Sequence, residues 1–174
     1  MLEIEVKSPC EDLAKVERML KDRQVHLLDE LEQVDTYYSH PCRDFGETDE
    51  ALRLRVENGV PILHYKGPKL DRETKTREEI GMDIPDPVAL RAVLDRLGFR
   101  EVTKVVKFRR TYLVGKVEVA LDHVEGLGDF VELEFRGEDM EEGKRDIFAL
   151  MDELGLKGNE RRSYLELLHE RSMD

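Results

Sequence analysis

The chain has 174 residues, 40% of them hydrophobic and 39% charged, where an ordinary soluble domain carries roughly 25% charge, and its formal net charge is −12. That length fits one domain over residues 1–174 with a real core. The acidity argues against a protein that grips nucleic acid through an overall basic surface, though not against a small anionic ligand met by locally gathered bases.

Glu3-Ile4-Glu5-Val6-Lys7 alternates with period two, so a strand here puts Glu3, Glu5 and Lys7 on one face and Ile4 and Val6 on the other. Ser8-Pro9-Cys10-Glu11 predicts a helix start, with Ser8 as N-cap, Pro9 as first helical residue and Glu11 closing a capping box. Leu13, Val16, Met19 and Leu20 supply that helix's apolar stripe. A strand-like segment follows from Val25 to Ser39, then a polar loop from His40 to Glu50. Ala51 to Val56 and Ile62 to Lys66 alternate on either side of Asn58-Gly59, a strong hairpin signal. Thr74 to Asp83 is a further strand, and Asp86-Pro87 opens a helix with Leu90, Val93, Leu94 and Leu97 as its stripe and Gly98 as its stop. The second half repeats the plan: a long strand from Val102 to Val114, then Lys116 to Val124 and Phe130 to Arg136 as a hairpin. A helix over Met140 to Leu154 and a short helical tail from Tyr164 to His169, expected to serve packing, complete the chain.

Cys10 and Cys42 have no metal-ligand spacing and are too few for a disulfide framework, so both are expected as reduced thiols. No apolar run approaches a membrane span, and the start lacks the basic and apolar segments of a signal peptide, which predicts a cytoplasmic protein. His64 and His123 sit on strands without a second histidine at ligand spacing, and are expected to be structural or surface residues.

Nearly every strand keeps one apolar and one charged face. The charged faces hold eight bases (Lys7, Arg53, Arg55, Lys66, Lys75, Arg77, Lys107, Arg109) and seven acids (Glu3, Glu5, Glu79, Glu118, Asp122, Glu132, Glu134). Two architectures accommodate this: a sandwich with its apolar faces inward and its charges in water, or a closed barrel with helices on an apolar outer face and charges around a tunnel. Full charges, Arg prominent, occupy positions where exposed strand faces usually mix in Thr, Ser and Gln. A water-filled tunnel could hold them, since Arg and Lys grip phosphate oxygens and clustered carboxylates are the hard ligands of Mg²⁺ or Mn²⁺.

Glu3-x-Glu5-x-Lys7 resembles the ExExK signature of the CYTH superfamily, the triphosphate tunnel metalloenzymes. Asp35-Thr36-Tyr37-Tyr38, Leu52-Arg53-Leu54-Arg55, Tyr65-Lys66-Gly67, Lys107-x-Arg109, the run from Leu121 through Gly126-Leu127-Gly128 to Glu134, and Arg162-Ser163-Tyr164 follow in that family's order. Within it the chain looks most like the class IV adenylyl cyclase branch. The resemblance implies an α+β fold, a closed eight-stranded antiparallel barrel with helices packed outside. It implies that Glu3, Glu5, Asp122, Glu132 and Glu134 hold Mg²⁺ or Mn²⁺. By the same resemblance Lys7, Arg53, Arg55, Lys66, Arg77, Lys107 and Arg109 grip a triphosphate, with Lys75 in a looser stretch of the pattern, and Tyr37 and Lys66 match a Tyr–Lys pair that some family triphosphatases use to activate water.

The implied activity is conversion of ATP to cyclic AMP and pyrophosphate. Two alternatives stand beside it: a triphosphatase acting on thiamine triphosphate, tripolyphosphate or a nucleotide, and a non-catalytic polyphosphate- or nucleotide-binding module. The expected partner is a small-molecule triphosphate, with no nucleic acid, no membrane and room for a homodimer. Replacing Arg55 by Ala is expected to weaken phosphate binding and leave the fold intact.

Overall fold

The computed structural model describes residues 2–173. Its eight strands are β1 (Leu2–Pro9), β2 (Leu27–Ser39), β3 (Ala51–Glu57), β4 (Val60–Lys66), β5 (Arg77–Asp83), β6 (Arg100–Val114), β7 (Val117–Val124) and β8 (Gly128–Phe135). The helices are α1 (Leu13–Asp22), α2 (Phe45–Thr48), α3 (Pro87–Arg96), α4 (Met140–Leu154) and α5 (Tyr164–Met173). All strand pairs are antiparallel, and the sheet closes in the order β1-β5-β4-β3-β2-β6-β7-β8. The closed barrel is therefore the right alternative and the open sandwich is excluded.

The order makes the two halves visible. The long strands β2 and β6 pair from Leu27 opposite Tyr112 to Ser39 opposite Arg100, and each is flanked by its own hairpin, β3–β4 and β7–β8. Asn58 and Gly59 close the first hairpin at φ +48° and +83°, the backbone that a two-residue turn demands and Asn-Gly tolerates. The barrel is completed by β1, which pairs with β8 from Ile4 to Pro9 and, among the described residues, meets β5 through two residue pairs, Leu2 with Glu78 and Glu3 with Arg77.

Alternation puts the apolar residues outside, under the helices. Ile4, Val6, Val119, Leu121, Val131 and Leu133 pack against Val16 and Leu20 of α1 and Ile147, Leu150 and Met151 of α4. A smaller cluster joins Tyr38 and Leu54 to Leu94 of α3. Of the expected α3 stripe, Leu94 is buried and Leu90 partly so, whereas Val93 and Leu97 are 54% and 63% exposed.

Four features differ from expectation. Ser8 and Pro9 do not start α1: they stay paired with Val131 and Phe130, and Asp12 caps the helix by accepting from the Lys15 N–H at 2.9 Å. Proline's missing donor is tolerated at a strand end as readily as at a helix start, so the local signal was ambiguous. The strand expected from Thr74 begins at Arg77, and the loop from His40 to Glu50 holds the short α2. The tail helix continues to Met173, and its first residue, Tyr164, is buried in contact with the barrel interior.

Candidate active site

Residues directly opposite each other in an antiparallel pair share a face, and the register therefore writes out the barrel's inner wall. Glu3 faces Arg77, Glu5 faces Glu134, and Lys7 faces Glu132. Arg109 faces Asp122, Gln33 faces Lys107, Asp35 faces Arg55, and Tyr37 faces Arg53. Lys66 faces Glu79. Glu3, Glu5, Lys7, Tyr37, Arg53, Arg55, Lys66, Lys75, Arg77, Lys107, Arg109, Glu132 and Glu134 line one cavity of about 770 Å³. Asp122, fully buried, lies behind its Arg109 partner and is not among the lining residues.

The acids fall into two sets. Glu3, Glu5 and Glu134 offer carboxylate oxygens that all lie within 4.8 Å of one another. Lys66 and Lys75 flank this set, Lys66 donating to both Glu3 oxygens at 2.7 and 2.8 Å and Lys75 to Glu5. Glu134 has no hydrogen bond or ion pair of its own among the described residues. Burial, then the charges of Glu3 and Glu5, push its pKa up to about 8. Three converging carboxylates, one of them ionised only with difficulty, are the donor set and the electrostatic imbalance that a hard divalent cation would satisfy.

Asp122 and Glu132 form the second set. Arg109 holds Asp122 through Nε and Nη2 at 2.7 and 2.6 Å and also donates to Glu132. Tyr164 donates its hydroxyl to Asp122 at 2.8 Å, and the Lys107 ammonium lies 3.6 Å away. Burial opposes the charge on Glu132, but Lys107, Arg109, Lys75 and Lys7 together hold its carboxyl well below the usual range. The five expected metal ligands thus lie in two settings, and only Glu3, Glu5 and Glu134 are gathered by the described geometry into one cation-sized cluster.

The bases differ as much in what already occupies them. Arg55 is locked to Asp35 by a bidentate pair at 2.7 and 2.8 Å, and although burial opposes its charge, Arg55 and Arg53 hold Asp35 well below the ordinary carboxylate range. Arg53 is also buried, yet its nearest carboxylates stand at 3.8 Å (Asp35) and 3.9 Å (Glu79), and its Nε has no hydrogen-bond partner among the described residues. Lys66 lies 2.8 Å from Glu79 as well as against Glu3. Burial and Lys75 push the Lys7 ammonium down to about 7; it donates to the Arg162 carbonyl and lies 4.1 Å from the Tyr164 ring centroid. Burial and Arg109 push Lys107 down to about 8. Arg77 has Asp49 at 3.6 Å. Tyr37 is 8% exposed on the wall, in register with Arg53.

Sequence reasoning missed Asp35, Tyr164 and the inward position of His64. Asp35 and Tyr164 both lie in motifs that carry the family resemblance, Asp35-Thr36-Tyr37-Tyr38 and Arg162-Ser163-Tyr164, and Asp35 also shares a strand face with Tyr37; no periodicity, however, ties Tyr164 at the start of a tail to the barrel interior. His64 faces Arg53 in register and stands 3.4 Å from Glu79; burial, Arg53, Arg55 and Lys66 push it down to about 3, so it is a neutral interior residue. His123 is exposed and paired with Asp129 at 2.6 Å, as a surface histidine should be. The arrangement as a whole can hold a multiply charged anion against a wall of bases with an acidic cation cradle beside it.

Comparison with known proteins agrees with that geometry. The CYTH domain model matches residues 1–164. A Methanocaldococcus jannaschii protein that carries the provisional name of an adenylate cyclase is 41% identical over 172 residues, 96% of this chain and 98% of its own. Adenylate cyclase CyaB of Aeromonas hydrophila is 30% identical over 148 residues, 81% of this chain and 74% of its own. A solved structure from Pyrococcus horikoshii OT3 superposes with a TM-score of 0.90 at 42% identity, covering 97% of this chain and 99% of that one. HpAC1 from Hippeastrum, provisionally named an adenylyl cyclase and described as having a dominant triphosphatase activity, shares the fold at 19% identity and a TM-score of 0.69, over 98% of this chain and 95% of its own.

Proposed function

This chain belongs to the CYTH domain family, and from that premise we propose that it is a metal-dependent enzyme acting on an organic triphosphate, converting ATP to cyclic AMP and pyrophosphate. The observation that carries the proposal is the meeting, in one cavity, of the Glu3–Glu5–Glu134 cluster and an interior wall of bases that includes the incompletely paired Arg53.

Glu3, Glu5 and Glu134 would hold Mg²⁺ or Mn²⁺, which when bound neutralises phosphate oxygens and acidifies a hydroxyl beside it. Arg53 gives the triphosphate a planar fork whose hydrogen bonds are not already spent on protein. Arg55 and Arg109, each clamped to a buried aspartate, present fixed charge with little reorganisation left to lose. Asp122 in this scheme orients Arg109, and Glu132 balances the charge of Lys107 and Arg109. Lys7, Lys66, Lys75, Arg77 and Lys107 complete the wall. In the cyclase reaction the ribose 3′-hydroxyl gives its proton to water and its oxygen bonds to the α-phosphorus as the bond from that phosphorus to the α–β bridging oxygen breaks in line, the bridging oxygen leaving with pyrophosphate. The charge released onto pyrophosphate then develops against these bases, where a desolvated site makes it count most.

A second reaction, hydrolysis of the triphosphate, is favoured by one feature: Tyr37 and Lys66 line the same cavity and match the family's Tyr–Lys pair. Incubation with ATP, thiamine triphosphate and tripolyphosphate in Mg²⁺ or Mn²⁺ separates the outcomes. Cyclic AMP with equimolar pyrophosphate supports the cyclase. Orthophosphate without cyclic AMP assigns the protein as a triphosphatase, and tight binding without turnover makes it a binding module.

A further inference from the structure

Beside its charged walls the cavity has a stretch of lining built from other chemistry. There the segment between β2 and β3 lines the cavity and is held by its own hydrogen bonds. Asp44 accepts from the Gly46 N–H at 2.8 Å, and the Glu50 N–H donates to the Phe45 carbonyl at 3.0 Å. Two aromatic rings of this segment line the cavity: His40 and Phe45, with centroids 5.7 Å apart. His40 is backed edge-on by Phe99 at 5.1 Å, and Arg43 lies over Phe45 at 5.6 Å. Leu52, Val102 and Leu165 add apolar lining. Among them sits a carboxylate with its side chain only 9% exposed: Glu50, whose Oε2 makes no hydrogen bond and has its nearest base, Arg43, at 3.4 Å.

A triphosphate needs none of this. Phosphate oxygens accept hydrogen bonds and carry negative charge, so aromatic faces offer them little and Glu50 repels them. A cavity of about 770 Å³ sits toward the upper part of the roughly 300–1,000 Å³ range of small-molecule pockets, enough for a whole nucleotide. Arg43 offsets part of the Glu50 charge, yet among the described residues Oε2 accepts no hydrogen bond, and a buried acceptor left without a donor is costly. The missing group is one that offers N–H on the edge of something flat.

We propose that the 40–50 segment is the subsite for the organic group of the triphosphate, an amino-bearing purine-like base, with Phe45 and His40 as the face it stacks on and Glu50 as the acceptor for its edge N–H. This rests on the triphosphate assignment above and adds to it the residues that choose among triphosphates.

Calorimetry in Mg²⁺ with tripolyphosphate and with the α,β-methylene analogue of ATP, which cannot cyclise with loss of pyrophosphate, tests both layers. The unaltered protein should bind the ATP analogue more tightly than tripolyphosphate. Phe45→Ala should weaken the ATP analogue by about tenfold, in line with one lost base–aromatic stack, and Glu50→Gln should weaken it severalfold. Both variants should bind tripolyphosphate within about twofold of the parent, which also reports that the barrel is intact. If the variants leave the ATP analogue unaffected, or weaken both ligands equally, the subsite is wrong while the tunnel stands. If the unaltered protein fails to bind tripolyphosphate at all, the triphosphate assignment itself falls and the subsite with it.

Discussion

The hydroxyl of Tyr164, the first residue of α5, donates to Asp122 at 2.8 Å inside the barrel, on a carboxylate that already holds Arg109 through two hydrogen bonds. The C-terminal helix is thereby joined to the inner wall by a buried, charge-assisted contact. Tyr164→Phe keeps the ring against Lys7 and Lys107 and removes only the hydroxyl. Denaturant unfolding should show a loss of roughly 1.5–3 kcal/mol, the usual worth of a hydrogen bond to a charged group. An unchanged midpoint and slope would mean that α5 sits on the barrel without being anchored through this bond.

The two acidic sets should respond differently to amidation. Glu134→Gln removes a ligand from the carboxylate cluster and also relieves like-charge crowding, so the concentration of Mg²⁺ or Mn²⁺ needed for half-maximal ligand binding should rise at least tenfold with the fold unharmed. Asp122→Asn leaves Arg109 without its principal countercharge, and breaking such a buried pair typically costs about 3–5 kcal/mol. Metal titration paired with urea unfolding checks both. Equal shifts in metal requirement for the two variants would restore Asp122 to the metal-binding set.

Stability should depend on pH in a way that metal removes. The pKa of Glu134 in the metal-free fold is raised to about 8, above the ordinary carboxylate value. Its stabilising contribution is therefore complete below the usual carboxylate range and is lost as pH rises through about 8. Lys7 runs the other way: its pKa is lowered to about 7, so folding gains as pH rises from there toward the ordinary lysine value. The difference between parent and Glu134→Gln isolates the glutamate. In chelator, the parent should lose melting temperature relative to that variant between about pH 5 and 8, and saturating Mg²⁺ should abolish most of the difference. A flat difference curve would show that Glu134 is ionised throughout.

Arg53 and Arg55 stand two residues apart on the same strand face and should fail differently. Arg53→Ala removes a guanidinium whose carboxylate neighbours stand at 3.8 and 3.9 Å, beyond hydrogen-bond reach, so triphosphate binding should drop by about tenfold or more at a single charge-assisted contact while stability falls less than in Arg55→Ala. Arg55→Ala strands the fully enclosed Asp35 and should cost about 3–5 kcal/mol of folding stability. That reverses the expectation drawn from the sequence, in which relief of repulsion among like charges left the fold intact. Calorimetry and urea unfolding on both variants decide it.

Much of this was legible in the alternation of β1, β3, β6 and β8, because a period of two leaves no freedom about which residues share a face. Once the barrel closes, those faces must meet. The pairing of particular acids with particular bases was not legible, since it depends on strand order and stagger: Asp122 and Glu134 look alike along the chain, yet one faces Arg109 and the other Glu5. The start of α1 was misplaced for a local reason, as Ser-Pro suits a helix start and a strand end equally, and long-range pairing with β8 decided the matter. Tyr164 shows the same limit from the other side, because its partner lies 42 residues away and no periodicity connects them.

The two-pair junction between β1 and β5 makes the barrel a hoop with a weak clasp. Among the described residues every other adjoining pair of strands is laced over a longer run, so thermal opening is expected to begin at Leu2–Glu78 and Glu3–Arg77, beside which the Lys75 N–H adds one backbone bond to the Glu5 carbonyl. On the metal and phosphate assignments made above, Glu3 belongs to the cation's side of that junction and Arg77 and Lys66 to the anion's, so an occupied tunnel is stitched across its own seam by what it binds. Amide exchange around residues 77–79 should slow on ligand binding more than anywhere in the β2–β6 interface, and the free protein should be a gapped cylinder far more often than the loaded one.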